Sequence, residues 1–172
     1  MEINEIYEEI LKELKLGHRP RIVLNNQQIQ MIIGELSSFE NLKKNLCIIC
    51  HLRTPSPIFQ QSLMGLIESD NKQIIELTPF IMEGCTRHFI EYQHQFGEPV
   101  PASFFKALAV FIKKCPKNLL VHPLGLVEGL GGKSIYFKKV IQEINWGFQS
   151  LFSKDQREAI QIIKRIEGFW PN

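Results

Sequence analysis

Long hydrophobic runs are what this sequence most clearly lacks. None of its 172 residues belongs to a stretch approaching the roughly 18 to 20 unbroken apolar positions of a membrane-spanning helix. Low-complexity tracts and fixed-period repeats are missing too, which excludes solenoids and linker-type chains. A basic leader is also absent. Met1-Glu2-Ile3-Asn4-Glu5 is acidic where a secretory signal would be basic, so the expectation is a cytoplasmic chain. Cys47, Cys50, Cys85 and Cys115 are then expected to be reduced thiols. No complete set of nucleophile, base and orienter is visible, nor a complete set of metal ligands. No cofactor and no metal are therefore expected.

What the sequence does contain is the material of a core. Apolar residues make up 44% of the chain, charged residues 22%, and there are 12 Phe and 2 Trp. A chain of this size buries roughly 70% of the surface its extended form exposes, so residues 1–172 are expected to form one domain without a staple. The net charge of +2 conceals an asymmetry. Residues 1–16 hold five glutamates and two lysines, a net −3. Residues 99–142 hold Lys106, Lys113, Lys114, Lys117, Lys133, Lys138 and Lys139 against Glu128, a net +6. Only this contrast gives the chain a field on a large scale.

The periodicity is helical nearly throughout. Ile3, Ile6, Tyr7, Ile10, Leu11 and Leu14 recur at spacings of three and four over residues 3–15, with the acids opposite. Gly17 and Pro20 end that helix. Helices are expected over 26–38, 40–52 and 57–68, the last opened by Ser56 and Pro57. Asp70 with Gln73 resembles a capping box for a helix to residue 96, broken or kinked near Thr78 by Pro79. Residues 101–115 and 133–152 follow, then a last helix behind Ser153 and Gln156. Short strands are entertained at 21–24 and 119–121, and the segment 119–132 reads poorly. The fold class is all-α, an irregular bundle of about seven helices.

Three motifs carry chemistry at first sight. Cys47-Ile48-Ile49-Cys50-His51 has the spacing used to attach c-type haem, but it sits in the apolar run from Leu46 to Leu52, where cysteine acts as a small hydrophobe. Gly129-Leu130-Gly131-Gly132-Lys133-Ser134 looks like the end of a phosphate-cradling loop, yet Val127 stands where that loop needs glycine. The Gly-rich segment 125–132 therefore reads as a helix connection. Finally, Arg87-His88-Phe89-Ile90-Glu91-Tyr92-Gln93-His94 resembles, over eight residues, the Arg…His motif of HEPN-type ribonucleases, which are all-helical and metal-independent. The resemblance implies that Arg87 holds a scissile phosphate and His94 acts as general acid or base. The plain reading puts both side chains on a solvated helix face.

The functional expectation is a non-enzymatic protein-binding subunit: an adaptor, chaperone or assembly component. The amphipathic first helix, with Ile6, Ile10 and Leu14, is the candidate partner-binding element, docking on another protein or a second copy. The HEPN-like ribonuclease is the alternative. A nucleic-acid role for the basic stretch 106–139 ranks below a solvated face, because Phe104, Phe105 and Phe111 fit a core and arginine is scarce there. Phe169 and Trp170 at the chain end read as a plug for the core ahead of an interface anchor.

Overall fold

The structure, a computed structural model, describes residues 2–36, 38–147 and 153–171. Among these the chain forms ten helical segments and no strands, as an irregular all-α bundle. The first three are α1 (Ile3–Lys15), α2 (Asn26–Glu35) and α3 (Phe39–Cys50). Helix α4 opens as a 3-10 turn at Pro57–Phe59 and continues over Gln60–Glu68; the short α5 is Lys72–Ile75. Helix α6 runs as Thr78–Cys85, a π turn at Thr86–Glu91, and Tyr92–Phe96. Then come α7 (Ala102–Lys114) and α8 (Val121–Gly129). Helix α9 is a 3-10 stretch Gly131–Phe137 followed by Lys138–Gln142, and α10 is Lys154–Glu167. No helix among the described residues is long and apolar enough to cross a membrane.

Local signals set most of these ends. Gly17 (φ 78°) and Gly97 (φ 76°) take the left-handed conformation just past α1 and α6, where a Cβ would be strained. Ser56 accepts the Ile58 amide and Ser153 the Gln156 amide, as their positions imply. The break expected near Thr78 falls between α5 and α6, and Pro79 does not sit inside a continuous helix. It lies in the first turn of α6, where its missing N–H costs nothing, while Thr78 Oγ1 donates to Ile75 O. The cap of α5 is Asn71, whose side chain accepts the Gln73 amide; Asp70 instead pairs with Lys114. The strand expected at 21–24 is a single parallel bridge, Ile22 to Leu52, and residues 119–121 lead into α8. The helix expected over 133–152 ends at Gln142, and its inward positions Phe148, Leu151 and Phe152 lie outside the described residues.

One continuous cluster of buried apolar side chains runs from Ile3 to Ile166. Helix α6 is its axis, packing against α3, α4 and α8, while α1 and α2 cover α3 and α10 covers α8. At Gly84 a Cβ would stand 3.0 Å from Leu63 Cδ2 and 3.8 Å from Cys50 Sγ, so the missing side chain is what lets α6 settle between α3 and α4. Phe89 of α6 stacks on Phe104 of α7, with ring centroids 4.1 Å apart.

Helix α1 is part of this core. Ile6 and Ile10 are buried against α3, and only Leu14, 39% exposed, reaches the surface. The apolar stripe read as a partner-binding face is thus covered mainly by the chain's own helices. Ile10→Asp should lower stability by about 3 kcal/mol or more, because it buries an unpaired charge. Leu14→Asp should shift it by less than about 1 kcal/mol. Urea unfolding of the two variants checks this, and equal effects would contradict the placement of α1.

Candidate functional site

The Arg…His segment falls in the π turn of α6. A π turn closes i→i+5 hydrogen bonds, so the helical period slips and four successive residues, Arg87 to Ile90, are all buried. Arg87 is therefore not on the solvated face its spacing suggests. Its Nε and Nη2 donate to Leu52 O at 3.1 and 2.5 Å, Nη2 also reaches Arg53 O, and Nη1 pairs with Glu91. All three guanidinium nitrogens are engaged within the chain. His94 is exposed in the last turn of α6. The structure thus separates the two residues into a buried clamp and a surface histidine.

His88, between them, is fully buried. Its Nε2–H donates to Ile49 O (3.0 Å) and its Nδ1 accepts the Ser56 amide (3.0 Å), while Gln60 Nε2 donates to the His88 carbonyl (2.7 Å). Burial holds this imidazole down at about 4; the bond to Ile49 opposes the shift, and the Arg87 charge adds to it. The neutral ring satisfies both partners, so His88 serves as a structural fastener.

The cysteines are likewise interior. Burial raises the Cys47 thiol to about 11 and the Cys115 thiol to about 12, and pushes Cys50 and Cys85 well above the ordinary range. Cys50 donates to Phe80 O at 3.5 Å, and His51 Nδ1 donates to Cys47 O at 2.8 Å, back into its own helix. Among the described residues, no three His, Cys, Asp or Glu side chains converge as a metal site requires. Just past the Gly-rich segment, Ser134 is buried and its Oγ accepts Trp170 Nε1–H at 3.2 Å. Trp170 thereby plugs the chain end against α9, whereas Phe169 stays 48% exposed.

A different feature stands open. Between α2, α3, α4 and α5 lies a hollow of about 390 Å³. Ile33, Leu36, Phe39 and Leu42 form one wall, and Ser62, Gly65, Leu66 and Ile74 face them. Phe39 is 48% exposed at its edge. The polar groups at one end satisfy each other: Ser69 Oγ accepts the Asn71 amide at 3.2 Å, and Asn71 accepts that of Gln73. By contrast, a hollow of similar size between α1, α2 and α3 is lined by Ile3 and Met31 among a majority of polar groups, including Asn4, Gln28, Glu35 and Lys44. The α2–α5 groove can therefore take an apolar side chain or a helix face.

Sequence reasoning placed a helix over 26–38 but singled out neither Phe39 nor Ile74. The available signals were Phe39 at the first turn of α3, outside the buried stripe, and Gly65 inside α4. A Cβ at Gly65 would meet nothing within 4 Å, so the chain's own folding does not require glycine there. Compared with family models, curated proteins and solved structures, this chain matches none.

Two measurements test the buried clamp. Arg87→Ala should lower stability by about 3 kcal/mol, since it strips charged donors from buried carbonyls, while His94→Ala should stay within about 0.5 kcal/mol. Comparable small effects in urea unfolding would contradict the burial of Arg87. The second measurement is of pH. Histidine titrates near 6.5 in the unfolded chain and His88 near 4 in the folded one, so the unfolded chain takes up the proton first. Stability complete above pH 6.5 should fall as pH drops towards 4, His88 contributing up to about 3 kcal/mol of that loss. Half-buried His122, also lowered by burial, adds in the same direction. His88→Gln should flatten this slope, and an unchanged slope would refute the assignment.

Proposed function

We propose that this chain is a non-enzymatic, helical protein-binding subunit, an adaptor, chaperone or assembly component, and that it binds through the α2–α5 groove. The observation that carries the reading is an open, mainly apolar groove with the large Phe39 ring half outside it. Exposed aromatic anchors beside pockets are where interface energy concentrates. The floor supports the same reading. Ser62, Gly65 and Ser69 are small and fall on one side of α4 and its end, so another backbone can approach closely. The residues that would serve ribonuclease chemistry do not favour the alternative, because Arg87 is engaged with three internal partners.

Gly65→Leu fills the groove without strain and improves the helix, so it should leave stability equal or raise it by up to about 1 kcal/mol. The full chain and three variants, Gly65→Leu, Phe39→Asp and the distant control Phe169→Asp, are to be recovered from the native cell. A defined stoichiometric protein partner should accompany wild type and Phe169→Asp. Its yield should drop at least about tenfold with the two groove variants, because a central interface anchor carries about 2 kcal/mol or more. Retention by the groove variants, or RNA cleavage in EDTA by the pure wild type that is lost in His94→Ala, would overturn the proposal.

A further inference from the structure

The most uneven charge in the chain, the net +6 of residues 99–142, folds into α7, α8 and α9. On α7, Lys106, Val110 and Lys113 occupy one exposed face. On α9 the opening stretch is 3-10, in which side chains three apart lie on the same edge. Lys133 and Tyr136 share that edge, and Lys139 follows one turn on; all three are exposed. Helices α7 and α9 meet through aromatic contact beside these rows. The Tyr136 and Phe105 rings are 5.6 Å apart, and Phe105 adjoins Lys106 in sequence. The sequence places Phe104, Phe105 and Phe111 together in a core. Phe104 and Phe111 are buried, but Phe105 is only half-buried, and beside it Tyr136 is 52% exposed.

Among the described residues, counter-charge reaches the two lysine rows only at Lys113. Glu143 pairs with Lys113 at 3.4 Å, and Glu128 is drawn away to Arg165 at 2.5 Å. Lys138 sits over the Trp170 ring, 5.5 Å from its centroid. Among the described residues, Lys106, Lys133 and Lys139 have no carboxylate within ion-pair reach. Unpaired lysines flanking an exposed ring are the two elements of single-strand recognition: cations for backbone phosphates, and a flat surface for a base.

We infer that the α7–α9 face binds single-stranded nucleic acid, with a base stacked on Tyr136 and phosphates meeting Lys106, Lys133 and Lys139. Duplex recognition is disfavoured, since stacking on Tyr136 requires a base that is free of its partner strand. Phosphate contacts by lysine are not sequence-specific, and stacking accepts any base, so the site discriminates by strandedness. This surface is distinct from the α2–α5 groove, so its failure would leave the protein-binding reading standing.

The test uses the full chain and a fluorescein-labelled oligouridylate of about 20 nucleotides, followed by fluorescence anisotropy between about 50 and about 200 mM salt. Binding should weaken with salt at a log–log slope of about −2, because each of three neutralised phosphates contributes about −0.7 on a single strand. The triple variant Lys106→Gln/Lys133→Gln/Lys139→Gln should bring the slope close to zero. Tyr136→Ala should weaken binding at least about fivefold at each salt concentration while keeping the slope. Lys72→Gln/Lys154→Gln, on other surfaces, should change neither. All these positions are exposed, and unchanged thermal melting confirms folding. No binding at the lowest salt would overturn the inference, as would a triple variant that keeps the slope or a neutral Tyr136→Ala. So would binding to phosphatidylserine vesicles that the oligonucleotide does not displace.

Discussion

The end of helix α3 governs the arrangement of this chain. A helix leaves its last carbonyls without partners, and a buried end must find donors elsewhere. Here the donors come from three directions. The His51 ring bonds to Cys47 O, His88 reaches Ile49 O, and the Ile22 amide takes His51 O at 2.9 Å. Arg87 then holds Leu52 O and Arg53 O together. Apolar burial has no direction, so it would tolerate α6 sliding along α3. These bonds do not, and they draw the segment after α1, the start of α4 and the π turn of α6 to one point. The cation also lies beside a helix C-terminus, where the backbone dipole favours positive charge.

The same cluster explains where sequence periodicity fails. A π turn widens the helix locally, and nothing in Thr86–Glu91 announces it, so Arg87 counts as outward until the structure turns it in. Its backbone acceptors, Leu52 O and Arg53 O, lie more than thirty residues away, beyond any local signal. Helices α1 and α10 were plainly legible because each has one covered face. Helix α8 was not, since α6 and α10 cover it from two sides and leave Pro123, Leu124, Leu126 and Val127 all buried. An all-round apolar helix has no period to read. At α9 the period shifts because the first turns are 3-10. Capping residues fared better, as Ser56, Ser153 and Gly17 act within their own few residues.

Surfaces are harder to read than elements. An amphipathic stripe such as Ile6, Ile10 and Leu14 states that something covers it, without saying whether the cover is the same chain; α3 proves to be the cover for the first two. The α2–α5 groove has the opposite history. Its walls come from four elements, and each contributes one to three residues that look ordinary alone. Phe105 and Tyr136 likewise stand 31 positions apart and meet only through folding. All four thiols are buried, and for Cys47 and Cys50 this was legible in the apolar run from Leu46 to Leu52.

Lys114 gives the groove a mechanical property. Its ammonium, at the end of α7, donates to Glu68 O, to Ser69 O at 2.7 Å and to Asp70 Oδ1 at 2.9 Å. Those residues form the bend between α4 and α5, and Ser69 belongs to the groove wall. The bend, closed on itself by the Ser69 and Asn71 side chains, is therefore fastened to α7 by one ammonium on a flexible four-carbon stem. A clasp of that kind releases by side-chain rotation, on the timescale of rotamer exchange, and leaves the core packed. The α4–α5 side of the groove's rim is thus tied to α7 through a single side chain, whereas α2 and α3 on the other side pack directly on each other.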